Sequence, residues 1–208
     1  MYPWSKQKAT DLMGLFMFKF ATGWKFWKDT AFKRNKAQIV PAAKALHASM
    51  SEALARGDKT ALRRVCTSQL LSQLTVAIER RPRGKRYGWE LVQYNNTRFY
   101  PRVVDDKIAM FPDGMGTVRQ AVVAIASRQR RVEYDDSLQG GGRVIPGSEK
   151  EADLMEYLVL TACVDAETNK QKDWVVFGTI KPTTLQSFEN EKALMKAAEE
   201  AELSKYKT

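Results

Sequence analysis

The hydrophobic positions of the chain follow two periods, one after the other. Over residues 41–56 apolar side chains recur every third or fourth position, which predicts a helix that Gly57 ends. Asp58 is a suitable N-cap for a second helical stripe, which continues to about residue 78. From Tyr87 onward the period becomes two, the spacing of β-strands. The pattern therefore predicts two helices followed by a sheet.

The region with period two divides into five predicted strands with turns between them. The strands cover residues 87–94, 102–111, 117–134, 154–164 and 174–181. Residues 112–114 form a predicted turn, and the last two strands form a hairpin around a polar loop. The glycine-rich loop at 140–147 lacks the spacing of a phosphate-binding loop. Because helices precede an unbroken run of antiparallel strands, the predicted class is α+β.

Each predicted helix has an apolar stripe that identifies its buried face. The first stripe contains Ala42, Ala45, Leu46, Met50, Ala53 and Leu54. The second contains Leu62, Val65, Cys66, Leu70, Leu74, Ala77 and Ile78. Cys66 lies within its stripe, so we expect a small core residue there and not a nucleophile. His47 lies beside the first stripe with no neighbouring His, Cys or carboxylate, and we expect it to be structural or solvated.

Three parts of the chain differ in composition and pattern. Residues 1–36 form a basic and aromatic arm, and residues 37–184 form the α+β domain. Residues 185–208 form a predicted C-terminal helix, which a capping box beginning at Thr183 introduces. The end of this helix is mostly charged, which is typical of a solvated or partner-covered appendage.

Composition excludes several classes of protein. The 208 residues are 44% hydrophobic and include five Trp and nine Phe, enough to bury a core. Two cysteines and one histidine cannot form a disulfide framework, a familiar zinc site or a histidine-based catalytic triad. We therefore expect a protein without a cofactor, in a reducing compartment.

Positive charge is concentrated in the first part of the chain. Residues 1–86 contain 18 Lys and Arg against 5 Asp and Glu, whereas the remainder contains 16 against 19. Such an asymmetry predicts a face that meets phosphates or anionic lipid. The candidate RNA-binding residues are Lys33, Arg34, Lys36, Arg63, Arg64, Arg80, Arg81, Arg83, Lys85 and Arg86.

Five of these candidates lie in the segment RRPRGKR at 80–86. Pro82 and Gly84 predict that this segment is a loop, from which arginines can reach several phosphates. Nothing in it is arranged to recognise base identity, so the expected contact is salt-sensitive and made to the RNA backbone. The alternative interpretation is a solvated basic turn.

Aromatic residues and lysines alternate in the arm. The candidates for membrane or partner contact are Phe16, Phe18, Lys19, Trp24, Lys25, Phe26 and Trp27. The longest uninterrupted apolar stretch, residues 12–18, is too short to span a bilayer, which needs about 20 residues. Three interpretations stay open: contact with a membrane interface, contact with RNA, and docking on an apolar protein surface.

Several segments, taken in order, resemble a family of mitochondrial matrix domains. The resemblance covers about residues 33–185 and rests on AKALHASMSEALARGDKTALRRVC, WELV beginning at Trp89, GTVRQAVVAIASRQ, DLMEYLVL and DWVVFGTIKP. This family, which we call translocase-motor-anchor-like, has three kinds of member. They are the forty-fifth large-subunit protein of the mitochondrial ribosome, the fungal membrane-associated ribosome receptor, and the peripheral motor anchor of the presequence translocase.

The resemblance implies a cone-shaped domain with a strongly curved antiparallel sheet over helices, as in the nuclear-transport-factor-two superfamily. In the ribosomal members the domain sits near the polypeptide exit and faces the inner membrane. The implied function is structural: a large-subunit protein that binds rRNA and helps tether the ribosome to the inner membrane for membrane-protein insertion. The implied partners are rRNA, neighbouring ribosomal proteins and the inner-membrane surface or an insertase, with no small-molecule substrate. The implied location is the mitochondrial matrix, peripheral to that membrane.

Two alternative functions remain at this stage. The first is a motor anchor of the presequence translocase, which binds a chaperone and cardiolipin in place of RNA. The second, more remote, is an enzyme of the cone fold with Tyr94, Tyr157 and Asp173 as pocket residues. No paired acid and base spacing supports the enzyme, and the family has no catalytic motif to carry over.

Overall fold

The computed structural model describes residues 36–110, 117–136, 142–165 and 170–180 of the chain. In this part, a 3₁₀ turn at Lys36–Gln38 precedes three helices: α1 at Ile39–Arg56, α2 at Lys59–Val65 and α3 at Ser68–Glu79. Six strands follow: β1 at Lys85–Tyr94, β2 at Arg102–Met110, β3 at Thr117–Asp135, β4 at Arg143–Val144, β5 at Lys150–Val164 and β6 at Val175–Ile180. The predicted order of helices before strands is confirmed.

The turn between α1 and α2 forms as its residues predict. Gly57 has a left-handed backbone with φ of 73°, and its N–H donates to carbonyl oxygens of Ala53 and Leu54. The Asp58 side chain accepts hydrogen bonds from backbone N–H groups of the first turn of α2, at 2.9 and 3.0 Å. The predicted glycine stop and aspartate cap are both confirmed.

The buried face of α1 is shifted from the predicted stripe. Ile39, Ala43 and His47 are buried together with Met50 and Ala53. The predicted stripe was right for the last two, and its Leu46 and Leu54 are partly buried against the core. It was wrong at Ala45, which is exposed. The first half of this helix contains several alanines on different sides, so its hydrophobic pattern does not favour one face clearly. Packing against the sheet selects the face that is buried.

The single second helix that the sequence predicts is in fact two helices. The chain is extended at Cys66 and Thr67, and the Thr67 N–H donates to the carbonyl of Val176 in β6 at 2.9 Å. The Thr67 hydroxyl then accepts from the N–H of Leu70 and begins α3. The prediction was wrong because this break is fixed by a strand more than a hundred residues away in sequence, with neither Gly nor Pro to mark it.

All six strands of the described part pair antiparallel in one open sheet, which makes the class α+β as predicted. The long strand β3 is central: β5 and the short β4 lie along one side of it, and β1 and β2 share the other. Strand β6 continues the sheet beyond β5. The predicted start of β5 at residue 154 was four residues late, and the short β4 lies in the glycine-rich segment predicted as loop.

The core lies between the helices and the first half of β3. Val123 pairs with Leu158 and Ala121 with Leu160, so these side chains share the sheet face that packs on the helices. Residues of this cluster with less than one tenth of their surface exposed are Ile39, Ala43, Met50, Ala53, Leu62, Cys66, Ala121, Val123, Ile125, Leu158, Leu160 and Val176. Because side chains of β3 alternate between the two faces of the sheet, its apolar residues fix which face packs on the helices.

The same face of β3 becomes polar toward its end. After Ile125, the residues at alternate positions are Ser127, Gln129, Arg131 and Glu133. The helices therefore cover an apolar half of the face, and a polar half begins where their cover ends. The cleft described below lies where this face changes from apolar to polar residues.

Several sequence predictions lie outside the described residues. They are the arm with Phe16, Phe18, Lys19, Trp24, Lys25, Phe26 and Trp27, the candidates Lys33 and Arg34, the turn at 112–114 and the C-terminal helix. Of the helices that the structure describes, none has the length and apolarity to cross a membrane.

Candidate nucleic-acid interface

Four of the predicted RNA-binding arginines lie exposed on the helical layer. Arg63 and Arg64 are on the outer surface of α2, and Arg80 and Arg83 follow the end of α3. An ion pair of 2.7 Å between Lys59 and Glu79 holds the start of α2 against the end of α3.

Arg63 is one helical turn from Lys59, and Arg80 follows Glu79 directly. Arg63 therefore lies on the same face of α2 as this ion pair, and Arg80 is the C-cap residue of α3 beside it. We call Arg63, Arg64, Arg80 and Arg83 the free arginines, because none of their side chains forms an ion pair or hydrogen bond with another described residue.

Arg81 has a different role from its neighbours. Its Nη1 and Nη2 donate to the carbonyl oxygens of Ala55 and Leu54 at 3.0 and 2.8 Å, at the end of α1. Its guanidinium also lies 5.0 Å from the ring centre of Tyr87. Burial lowers the pKa of Arg81 from its ordinary value. This predicted phosphate contact is therefore already engaged in joining α1 to β1.

Lys85 and Arg86 lie on a strand, so the predicted loop at 80–86 was too long. Strand β1 begins at Lys85, which pairs with Glu133 at 3.5 Å. Arg86 pairs with Asp136 at 2.9 Å and lies over the ring of Tyr134. The pairing of β1 with the end of β3, which the local sequence does not encode, extends the strand and neutralises both cations.

Two arginines of β3 on the opposite face of the sheet are also paired. Arg128 donates to Asp153 with two nitrogens, at 2.9 and 3.0 Å, across the β3–β5 register. Arg130 pairs with Glu90 on β1 and with Glu149. Each guanidinium thus has a cross-strand or neighbouring carboxylate, whereas the free arginines of the helical layer have none among the described residues.

The helical layer is consequently the electropositive side of the described structure. Residues 36–84 contain nine Lys and Arg against three Asp and Glu. Two of the three acids, Glu52 and Glu79, pair with cations of the layer, and Asp58 caps α2. Exposed guanidinium groups without carboxylate partners are available to phosphates, which they bind as bidentate donors. Lys36, exposed on the 3₁₀ turn, adds to the same charge.

A cleft of about 460 Å³ opens beside Arg81, between α1, α3 and the sheet. We call it the α1–β1 cleft. Its lining includes apolar residues of the helices, two aromatic residues of β1 and polar residues of β3 and β5: Met50, Leu54, Leu70, Leu74, Tyr87, Trp89, Gln129, Arg131 and Glu156. The sequence did not indicate this cleft.

A hydrogen-bond chain runs along the polar side of the cleft. His47, 1% exposed, places Nε2 2.9 Å from Oε2 of Glu156. The same oxygen accepts from Nε2 of Gln129, whose Oε1 accepts from the indole N–H of Trp89 at 2.7 Å. His47 is therefore structural, one of the two predicted possibilities, but the premise that it lacks a carboxylate partner was wrong, because Glu156 is 109 residues away in sequence. The hydrogen bond from His47 is the main cause that lowers the pKa of Glu156.

Cys66 is a core residue, as predicted. It is buried against α2 and β6, and burial raises the pKa of its thiol to about 11. A thiol with so high a pKa is a poor nucleophile at neutral pH.

Two residues of the enzyme alternative, Tyr157 and Asp173, do not come together. Gln171 bridges Val164 at the end of β5, and Asp173 follows it two residues later. Tyr157 is seven residues from Val164 along the strand, a distance of about 23 Å. Within the described ranges no group of His, Cys, Asp and Glu is placed to hold a metal ion.

Comparison with known proteins gives little resemblance. No family model matches the chain, and no curated protein matches it. Among solved structures, the intermembrane space region of the chloroplast protein ARC6 aligns with 70% of this chain and 97% of that one, at 12% identity and a TM-score of 0.40. A likeness of this size says nothing about function.

Proposed function

We propose that this chain is a non-enzymatic protein of the large subunit of the mitochondrial ribosome, docked on rRNA near the polypeptide exit. The observation that carries the RNA part is the contrast in pairing. Most arginines of the described strands have carboxylate partners, with Arg102 and Arg143 as exceptions, whereas the side chains of Arg63, Arg64, Arg80 and Arg83 on the helical layer all have none among the described residues. The ribosomal and mitochondrial setting rests on the family resemblance of the sequence.

The free arginines suit a contact with the RNA backbone. Each guanidinium can bind a phosphate with two parallel hydrogen bonds, and every phosphate neutralised releases counterions. Such binding falls steeply with salt and is the same for any sequence that presents phosphates in the same shape. The patch thus serves to dock the protein and hold its orientation.

In this proposal the arm supplies a second, weaker tether to the inner membrane. Lysines near an anionic surface contribute about 1 kcal/mol each, and aromatic rings settle at headgroup depth. Two weak contacts joined in one chain bind with much greater avidity than either alone. The protein would thereby hold the exit site close to the inner membrane during membrane-protein insertion.

The experiment compares two sets of four neutralised cations. In the first set Arg63, Arg64, Arg80 and Arg83 are changed to Gln. In the matched control, four exposed cations on the sheet and its loops are changed to Gln: Arg98, Arg143, Lys150 and Lys172. Both variants lose the same net charge, so only the location of the charge differs.

We expect the first variant to bind large-subunit rRNA at least about tenfold more weakly at physiological salt. We also expect the slope of log affinity against log salt to become shallower by about 3, since four phosphate contacts are lost. The control should stay close to the unaltered protein. An equal loss in both variants would show that net charge alone is responsible and would contradict the proposal.

A sedimentation experiment separates the ribosomal function from that of a motor anchor. The free arginines would also suit the phosphates of cardiolipin. Retention on large subunits at physiological salt supports the ribosomal proposal. Release from subunits at that salt, with retention on cardiolipin vesicles, would favour the motor anchor.

A further inference from the structure

The α1–β1 cleft combines three kinds of surface. Leu54, Leu70 and Leu74 supply an apolar side, and the indole of Trp89 supplies an aromatic plane. Arg131, whose side chain is 63% exposed, stands at the entrance with a single hydrogen bond of 3.3 Å to Glu133 on its own strand. The volume of about 460 Å³ lies within the range of small-molecule sites.

The two guanidiniums at the cleft are held in place by one ring. Those of Arg81 and Arg131 lie 5.0 and 5.2 Å from the ring centre of Tyr87. Arg81 adjoins Arg80 and Arg83 in sequence, so the cleft opens beside the free arginines. An anionic ligand that crosses the basic surface therefore passes its entrance.

The hydrogen-bonding capacity within the cleft is unequally used. The Gln129 oxygen accepts from Trp89, while its nitrogen donates to Glu156 and to the hydroxyl of Ser127 at 3.0 Å. Oε2 of Glu156 accepts from His47 and Gln129. Oε1 of Glu156 takes part in no hydrogen bond with the described residues, and this side chain is 30% exposed. Oε1 of Glu156 is therefore an acceptor open to a ligand, whereas the side-chain donors of Gln129 and Trp89 are already used within the cleft.

We propose that the α1–β1 cleft takes one unpaired nucleotide of the bound RNA, with an amino-bearing base inside and its phosphate at Arg131. The inference rests on the proposed function and adds a base contact to it. The base stacks on Trp89 and on the guanidinium plane of Arg131, as unpaired bases do on aromatic and arginine surfaces. Its exocyclic amine donates to Oε1 of Glu156.

The charge in the cleft favours a base over an alkyl chain. An alkyl chain would cover the Glu156 carboxylate without giving it a donor, and desolvation of an unpaired ionised group is costly. Cytosine, adenine and guanine each carry an amino group, whereas uracil presents a carbonyl oxygen at the position of the cytosine amine. Cytidine should therefore bind better than uridine, although the two have nearly the same shape.

The test uses three RNA hairpins that differ at one bulged nucleotide: cytidine, uridine or an abasic residue. Their phosphates are the same in number. We expect the cytidine bulge to bind about tenfold tighter than the abasic one, as one stacked base does, and about fivefold tighter than the uridine bulge. Affinities are measured by fluorescence anisotropy with the full chain.

A variant that fills the cleft completes the test. Ser51 lines the cleft on α1, whereas Ser49 is exposed on the same helix outside it. In Ser51→Phe all three hairpins should bind with the affinity of the abasic one, whereas Ser49→Phe should retain the differences. If Ser51→Phe fails to fold, Arg131→Gln replaces it, with Arg98→Gln as the control of equal charge. Arg131→Gln should reduce the gain from the base at least about threefold.

The outcomes distinguish this inference from the proposed function. Equal and salt-sensitive binding of all three hairpins by the unaltered protein would overturn the base contact and leave the docking function intact. Failure to bind any hairpin or large-subunit rRNA would contradict both. A cytidine preference that stays unchanged in folded Ser51→Phe would also overturn it, because the base would then bind elsewhere.

Discussion

At the scale of single residues, neighbouring arginines with the same chemistry have opposite roles. Arg80 is exposed and has no described partner, whereas Arg81 is half-buried and donates to two carbonyl oxygens of α1. The last carbonyls of a helix lack intrahelical donors, so a guanidinium that satisfies two of them stabilises the helix end. Arg81 is structural because its side chain reaches the last carbonyls of α1, just before Gly57, whereas the side chain of Arg80 does not.

Arg81→Ala should therefore lower the free energy of unfolding by about 1–3 kcal/mol. The change removes two charge-assisted hydrogen bonds and the contact with Tyr87. Urea denaturation followed by circular dichroism measures it. Arg80→Ala is the matched control and should change stability by less than about 0.5 kcal/mol. Equal effects of the two substitutions would show that Arg81 does not support the end of α1.

At the scale of elements, α2 is short and depends on its ends. Its seven residues are too few for a stable isolated helix, so capping and tertiary contacts hold it in place. Asp58 satisfies two N–H groups at the start, and Leu62 is buried in the core. The exposed Arg63 and Arg64 are oriented by this small element.

Asp58→Ala should destabilise the protein by about 1 kcal/mol, because two backbone N–H groups at the start of α2 lose their acceptor. Thermal unfolding measures the change. Asp58→Ser keeps an oxygen at the cap and should recover most of the loss. If serine is as unfavourable as alanine, the aspartate does not act as a cap.

At the scale of the whole molecule, a hydrogen bond between side chains joins the helical layer to the sheet. His47 on α1 and Glu156 on β5 meet at 2.9 Å at the edge of the apolar core. The folded protein holds the pKa of Glu156 below its ordinary value of 4.5, chiefly through that hydrogen bond. Docking of the two layers is thereby coupled to pH.

The sign of this coupling follows from the lowered pKa. Below about pH 4.5 the unfolded chain binds a proton at Glu156 more readily than the folded one, so stability falls as pH falls. The contribution is fully present above that pH. In Glu156→Gln the free energy of unfolding should therefore depend less steeply on pH below about 4.5 than in the unaltered protein.

Glu151→Gln, on the same strand at an exposed position, is the matched control for this measurement. Its pH profile should follow that of the unaltered protein more closely than Glu156→Gln does. Parallel profiles for the unaltered protein and Glu156→Gln would contradict the coupling between the layers.

The sequence by itself determined the class and order of the fold. The change of hydrophobic period near Tyr87, the Gly57 stop and the Asp58 cap are local features, and local patterns encode them directly. The stripe that contains Cys66 likewise identified a core position. The distribution of charge along the chain also identified the basic residues of the helical layer as candidates for RNA binding.

Only the tertiary structure decided where these elements break and which side chains meet. Val176 in β6 divides the predicted second helix at Thr67, and strand register brings Glu156 to His47. The α1–β1 cleft and the distinction between free and paired arginines arise in the same way. Periodicity reports which face of an element is buried. It carries no information about which distant segment buries it, because that depends on packing among elements far apart in the chain.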